Sequence, residues 1–312
     1  MLKYLVIVLS DESTSFCHYE TRVKGDGLIP LETLRQGIRF GMMENLMIQF
    51  VYQQEALPKE YAEVINTIDH SVIAPAGCPV EADVVVFNDW DEFCRFRYTG
   101  EGTFVVRTTL AELLAHSGQV AWVMPRITRL NIVLTDITEV KDADFEQHKA
   151  FLESLSDVIL AEYQSGHSVQ CNLLTDRIQL KEMNNCNAGT ESITLAPNGQ
   201  FYICPAFYYD GEIPLGNLND GLDIKNRQLY SLDHAPLCRI CDAFHCKRCV
   251  WLNQKTTLEV NTPSHEQCVM AHLERNQSRM LLHELWNHGL CQENAHIKEI
   301  NFLDPFDVKE EW

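Results

Sequence analysis

The cysteines of this sequence are concentrated in one stretch. Seven of the twelve lie between positions 186 and 268, namely Cys186, Cys204, Cys238, Cys241, Cys246, Cys249 and Cys268. In the densest group, Cys238 to Cys249, successive cysteines are separated by two, four and two residues. Thiolates are ligands of both zinc and iron–sulfur clusters. The stretch therefore predicts metal chemistry rather than ordinary packing.

The spacing favours iron–sulfur ligation over zinc. Two C-x2-C knuckles around one zinc ion usually need a gap of about 15–20 residues between them. Tight runs with gaps of two or three residues are typical of iron–sulfur ligation. A disulfide framework is disfavoured, since the N-terminal apolar run is too short for a secretion signal. Zinc stays the alternative.

This stretch resembles the SPASM domain, the C-terminal extension of radical SAM enzymes that modify peptides. Cys186 is followed, after twelve residues, by Gly199, and Gly199-QFYI-Cys204 matches the Gly-x4-Cys of that domain. The dense four-cysteine group comes next, with slightly shorter gaps than the family has, and Cys268 supplies the final member.

The resemblance implies one or two auxiliary [4Fe–4S] clusters. By position, the ligands of one cluster would be Cys238, Cys241, Cys246 and Cys268. Part of the other would be held by Cys186, Cys204 and Cys249. The fourth ligand of that second site is usually a cysteine shortly before the first, and the nearest one here is Cys171.

Strand and helix patterns alternate before this stretch. Strand patterns occur at 2–9, 47–53, 82–89, 103–110, 129–136 and 168–176, with helical patterns between them, the longest at 142–164. After Cys186 the pattern changes to a β-hairpin, with the turn Asn198-Gly199 between ESITLAP and QFYICPAFYY. Such alternation predicts an α/β fold, a partial (β/α) barrel of about six strands, with a flavodoxin-like open sheet as the alternative. We expect the barrel at 1–177, the small cysteine-rich SPASM-like domain at 178–275, and a C-terminal helix and acidic tail at 276–312.

The barrel lacks the motif that the family uses for S-adenosylmethionine. The family places C-x3-C-x2-C after the first strand, where this chain has Cys17 alone. A Gly-Gly-Glu segment usually ends the second strand, and here Gln53 and Gln54 precede Glu55. Cys17 and Glu55 are therefore the candidate catalytic residues, and the sequence leaves open whether S-adenosylmethionine binds.

Charge and hydropathy restrict the partners. The net charge of −19 disfavours nucleic acid, whose phosphates such a surface repels. We expect no membrane span and a cytoplasmic location, where thiols stay reduced.

The segments SFCHYE, NLMIQFVYQ and VINTIDH, with the C-terminal cysteines, resemble the CXXX repeat peptide maturases. The resemblance implies maturation of a ribosomally made, cysteine-containing precursor peptide, and favours an enzyme. The alternative is a non-catalytic protein that presents the peptide to a second modification protein, with structural clusters or zinc.

Overall fold

The computed structural model describes residues 1–98, 100–183 and 186–291. The strands in these ranges are β1 (Tyr4–Val8), β2 (Met47–Val51), β3 (Ser71–Pro75), β4 (Val84–Phe87), β5 (Gly100–Thr108), β6 (Ile127–Leu134), β7 (Gln170–Cys171), β8 (Ser192–Leu195), β9 (Gln200–Tyr202), β10 (Gly216–Asn217) and β11 (Gly221–Leu222). The α-helices are α1 (Leu31–Met43), α2 (Lys59–Ile65), α3 (Trp90–Arg95), α4 (Leu110–Ala115), α5 (Ser117–Val123), α6 (Asp142–Gln164), α7 (Asp176–Gln179), α8 (Pro205–Tyr209), α9 (Val250–Thr257) and α10 (His265–Asn287). Short 3-10 helices lie at Met124–Arg126, Arg227–Tyr230, Leu232–His234 and Cys238–Ile240.

Backbone contacts divide the chain into two compact units. Unit 1 comprises Met1–Asn88 and Asn187–Ser231, and unit 2 comprises Asp89–Cys186 and the described residues from Leu232 onward. The units interleave along the chain, whereas the sequence analysis divides it into consecutive regions. That division stays a prediction, and the acidic tail after residue 291 lies outside the described residues.

Unit 1 contains a mainly parallel sheet built around β1. The apolar strand β1 pairs in parallel with β2 on one side and with β8 on the other, and β3 and β4 continue the parallel order beyond β2. Beyond β8 the strands β9, β10 and β11 pair antiparallel. A strand buried on both faces reads as a continuous apolar run, which explains why β1 is recognisable in the sequence.

Helix α1 packs closely on the sheet of unit 1. Its buried face includes Gly37 and Gly41, where a Cβ atom would lie 2.4 Å from Leu195 Cδ2 and 2.7 Å from Ile48 Cδ1, respectively. Glycine at these two positions therefore lets the helix backbone approach the strands. The core between them is formed by Leu5, Ile7, Phe50, Ile193, Leu195 and other apolar side chains.

Unit 2 combines three parallel strands with two long helices. Strand β6 pairs in parallel with β5 and with β7. Helix α10 packs against α6 and α7. The α6 range of 142–164 is the one that the sequence predicts.

Three elements differ from the sequence analysis. The strand predicted at 168–176 is shortened to β7, Gln170–Cys171, and α7 begins at Asp176. Strand β3 is absent from the predicted strands, and it joins the parallel sheet beside β2. The run after Cys204 is predicted to continue a hairpin strand, but Pro205–Tyr209 forms α8. Proline has no N–H for a strand ladder and fits the first turn of a helix, which accounts for the change.

Candidate metal centre

Four of the predicted metal ligands lie around one cavity in unit 2. Cys238, Cys241, Cys246 and Cys268 all line it, together with His272. Its remaining lining is largely apolar, and the cavity has a volume of about 20 Å³. The structure thus brings together cysteines that lie thirty positions apart at the extremes of this set.

Local hydrogen bonds shape the cysteine loop. A 3-10 helix carries Cys238, and the N–H of Cys241 donates to the Cys238 carbonyl at 3.1 Å. The N–H of Ala243 donates to Cys241 Sγ at 3.4 Å, and the N–H of Cys246 donates to the Ala243 carbonyl at 3.0 Å. These turns aim successive thiols at the same space.

The start of α10 places the fourth thiol. Ser264 is the N-cap, and its hydroxyl accepts the Gln267 N–H at 3.3 Å. In return the Gln267 side chain accepts the Ser264 N–H at 2.9 Å, which completes a capping box. The box fixes the first turn of the helix, in which Cys268 lies.

Burial favours the neutral form of the thiols in this cavity over the thiolate. Burial raises the pKa of Cys238 and of Cys241 to about 12, and it also raises the pKa of Cys246. Buried thiolates are unfavourable without a compensating positive charge. A bound metal supplies that charge and deprotonates the thiols that coordinate it. The donor set therefore fits a metal group.

The number and type of the donors match a four-thiolate metal group. Across the described residues, no three His, Cys, Asp or Glu side chains converge in a way that could hold one metal ion. Four thiols line the cavity, which is the number of thiolates that hold a [4Fe–4S] cluster.

A buried ionic triad supports the cysteine loop. Asp242 follows Cys241 directly, and its Oδ2 accepts from Arg177 Nη2 at 3.1 Å, while its Oδ1 accepts from Arg275 Nη1 at 3.0 Å. All three side chains are at most 3% exposed. The triad links this loop to α7 and α10.

A second buried polar group lies on the same side of α10. Glu274 is within 3.0 Å of His245 Nε2 and 3.5 Å of His148 Nε2. Although burial opposes it, these two nearby rings hold the pKa of Glu274 below its ordinary value. The carboxylate thus connects α6 with the loop that carries Cys246.

Sequence reasoning missed His272. Its Nε2 lies 3.2 Å from Cys241 Sγ, and its side chain is buried. Burial, with a smaller contribution from the Arg275 charge, lowers the pKa of His272 to about 3, so the ring is neutral near pH 7. No spacing rule connects a helical histidine with a cysteine thirty-one residues earlier, so the sequence offers no signal.

The ligands predicted for the second cluster are distributed over both units. Cys204 belongs to unit 1, and Cys186, Cys249 and Cys171 belong to unit 2. Cys186 is exposed, whereas Cys204 and Cys249 are half-buried and precede α8 and α9. Cys171 is fully buried in β7, and burial raises its pKa to about 12. The second cluster stays a prediction.

The loop after β1, residues 9–28, is tightly hydrogen-bonded within unit 1. Ser13 donates its hydroxyl to the Val51 carbonyl at 2.8 Å, and the Thr14 N–H donates to the Tyr52 carbonyl at 2.9 Å. The Asp11 carboxylate accepts three consecutive backbone N–H groups, those of residues 24 to 26, at 2.7–3.1 Å. These side chains are buried although they are polar.

Aromatic side chains cover the same loop. Tyr209 of α8 donates its hydroxyl to the Ser13 carbonyl at 3.2 Å, and its ring stacks on Tyr19 at 5.5 Å between centroids. Tyr208 donates to Asp26 at 2.8 Å. The loop holds Cys17 as its one thiol, half-buried. A cluster held by three thiolates does not fit this loop.

The segment after β2 contains the glutamate of the family's Gly-Gly-Glu pattern, Glu55, but neither glycine. Glu55 is exposed. The amide of Gln54 donates to the Ala76 carbonyl at 3.2 Å, and Cys78 Sγ donates to the Gln53 carbonyl at 3.3 Å. The structure therefore leaves the catalytic roles of Cys17 and Glu55 as predictions.

In the part of the chain that the structure describes, no helix combines the length and apolar character needed to cross a membrane.

The sequence matches no protein-family model and no curated protein. The fold, in contrast, is similar to solved structures of anSMEcpe, an anaerobic sulfatase-maturating radical SAM enzyme. Polyhistidine-tagged anSMEcpe with bound AdoMet gives a TM-score of 0.58 at 15% identity, over 91% of this chain and 98% of that one. Native anSMEcpe with bound AdoMet and Cp18Cys peptide gives 0.55 at 15% identity, over 91% and 97%. The chain therefore has a radical SAM-like α/β fold.

Proposed function

We propose that this chain takes part in the maturation of a ribosomally made cysteine-repeat peptide, as a radical SAM/SPASM-like iron–sulfur protein without a SAM cluster of its own. The observation that carries the proposal is the cavity lined by four thiols in unit 2. The fold supports it, because similar structures were solved with AdoMet and bound peptides.

In this proposal Cys238, Cys241, Cys246 and Cys268 hold a [4Fe–4S] cluster. When bound, such a cluster supplies one-electron transfer. The apolar lining of the cavity excludes water, and the triad around Asp242 keeps the loop in place. Burial and hydrogen bonds to sulfur are two of the factors that set the potential of iron–sulfur clusters.

The remaining predicted residues take secondary roles. Cys186, Cys204 and Cys249, with Cys171, would hold part of a second cluster. Cys17 would engage a thiol of the peptide, and Glu55 would act near the end of β2. Each role is an expectation from the resemblance and the position in the chain.

A second candidate function is supported by loop 9–28. Its buried polar side chains are satisfied by hydrogen bonds within unit 1, and one cysteine cannot hold the usual cluster. A chain built in this way could bind the peptide and present it to a separate modifying enzyme. The clusters would then be structural.

Mass spectrometry of a co-expressed peptide with Cys-x-x-x repeats separates the two candidates. Under the first, the peptide changes mass when this chain is its only partner. Under the second, the peptide stays unmodified with this chain alone but co-purifies with it. A peptide that neither changes mass nor binds would contradict both.

The ligand assignment has its own test in the full chain, purified without oxygen. We expect Cys238→Ala and Cys241→Ala to lose iron together with solubility, because both thiols line the cavity. Cys94→Ala is the matched control, since this half-buried cysteine lies in α3 and does not line the cavity. Full metal content in the Cys241→Ala protein would show that the assignment is wrong.

A further inference from the structure

One contact of the cysteine cavity has no counterpart in the sequence pattern. His272 Nε2 lies 3.2 Å from Cys241 Sγ, within the range of hydrogen bonds to sulfur. Both residues line the cavity. A thiolate that coordinates iron carries no proton, so the hydrogen atom of this contact has to come from the imidazole ring.

The position of the ring is fixed by a neighbouring contact on the same helix. Arg275 follows His272 by three residues and therefore lies on the same face of α10. It binds Asp242 at 3.0 Å, and Asp242 directly follows Cys241. Two consecutive residues of the cysteine loop are thus held by two residues one turn apart in α10.

The helix side of this contact is buried. His272 and Arg275 are 1% and 2% exposed. A hydrogen bond to an anionic sulfur is stronger in such an environment than in water. Hydrogen bonds to the sulfurs of an iron–sulfur cluster are one of the factors that set its reduction potential.

We propose that His272 is a positioning residue that donates an Nε2–H hydrogen bond to the Cys241 thiolate and thereby raises the reduction potential of the cluster in this cavity. Reduction adds one electron and one negative charge to the cluster and its thiolates. The hydrogen bond stabilises the more negative reduced state more than the oxidised state. The inference rests on the proposed cluster, and it adds to the four ligands a residue that contacts one of them, Cys241.

The test is a redox titration of the full chain, purified without oxygen. His272→Leu removes the donor, and the potential of the cluster should become more negative while iron and sulfide content stay unchanged. His272→Gln keeps an N–H group, so its potential should lie between those of His272→Leu and the unchanged chain. The matched control is His283→Leu, because His283 lies on the exposed face of the same helix and should leave the potential unchanged.

A second measurement tests the hydrogen bond in the unchanged chain. Pulsed electron paramagnetic resonance of the reduced cluster, with ¹⁵N-labelled histidine, should show a weak coupling from one histidine nitrogen. That coupling should be absent in the His272→Gln protein. A strong coupling, typical of a nitrogen bound to iron, would overturn the proposal because His272 would then be a ligand.

The possible failures are distinguishable. If the unchanged chain contains no iron or sulfide, the proposed cluster fails and the inference fails with it. If the cluster is present and His272→Leu leaves its potential unchanged, the cluster stands and only the role of His272 is refuted. Loss of iron in both His272 variants, but not in His283→Leu, would also refute a purely hydrogen-bonding role.

Discussion

The buried triad around Asp242 makes a quantitative prediction about stability. Asp242→Asn removes a negative charge held between Arg177 and Arg275, at 3.1 and 3.0 Å, without creating a cavity. Removing one partner of a buried ion pair typically costs about 3–5 kcal/mol, because the remaining charge is left uncompensated. Here two guanidinium groups lose their contact with the Asp242 carboxylate, so we expect a loss of about 3 kcal/mol, or roughly a hundredfold in the unfolding equilibrium.

Urea unfolding of the anaerobically purified chain, followed by circular dichroism, measures this loss. Iron content is measured on the same samples, so that loss of metal and loss of the ion pair can be separated. The control is Asp91→Asn, which breaks the Asp91–Arg95 pair at 3.2 Å on the surface of α3. Both of its side chains are more than three-quarters exposed, and such pairs contribute only about 0.3–0.5 kcal/mol.

The comparison of the two variants shows whether burial makes the Asp242 triad more stabilising than a surface ion pair. A loss in Asp242→Asn of less than about 1 kcal/mol, with iron retained, would show that water reaches the triad and that burial was overestimated. A loss in Asp91→Asn as large as that in Asp242→Asn would refute the reasoning from burial altogether.

Two further predictions concern local packing and capping. Gly41→Ala should destabilise the chain by about 1 kcal/mol, because a methyl group 2.7 Å from Ile48 Cδ1 costs more free energy than alanine gains in a helix. Thermal unfolding measures this loss. The control is Gly118→Ala in α5, where a new Cβ atom would meet no atom within 4 Å, so this variant should be as stable as the unchanged chain or more stable. Backbone and side-chain hydrogen bonds to Thr109 lower the pKa of Glu112 below 4.5. Its capping contribution, about 0.3–1.5 kcal/mol, is therefore present above pH 4.5 and is lost as the pH falls through the lowered pKa. Unfolding of Glu112→Ala, compared with the unchanged chain from neutral pH into acid, should show a deficit at neutral pH that vanishes in acid, and a deficit independent of pH would contradict the assignment.

The sequence predicted the elements that have strong local patterns. The amphipathic period of α6 and the apolar run of β1 identify these elements without reference to the rest of the chain. The parallel pairing of β8 with β1 depends on residues almost two hundred positions apart. Local patterns contain no information about such pairing. Strand β3 was missed for a different reason, because a five-residue run that ends at Pro75 is a weak strand signal.

In the candidate site, too, the sequence predicted what depends on local spacing and missed what depends on tertiary packing. Cysteine spacing predicted metal chemistry for the dense group that includes Cys238, Cys241 and Cys246, all of which line the cavity, whereas Cys268 was assigned from the resemblance to the SPASM domain. His272 and Asp242 could not be found from spacing, since their roles depend on how α10 packs against the cysteine loop. The buried hydrogen bonds of loop 9–28 were equally hidden, because polar residues after a strand are usually exposed.

Metal and sulfide analysis of the full chain, purified without oxygen, tests the central claim most directly. The account predicts visible absorption, with about four irons per chain and matching sulfide from the cavity cluster alone, or about eight if the second cluster is also present. It also predicts that Cys241→Ala loses about four of these irons while Cys94→Ala loses none. A colourless protein with one zinc ion and no sulfide would contradict the account, and the cysteine cavity would then be a structural zinc site.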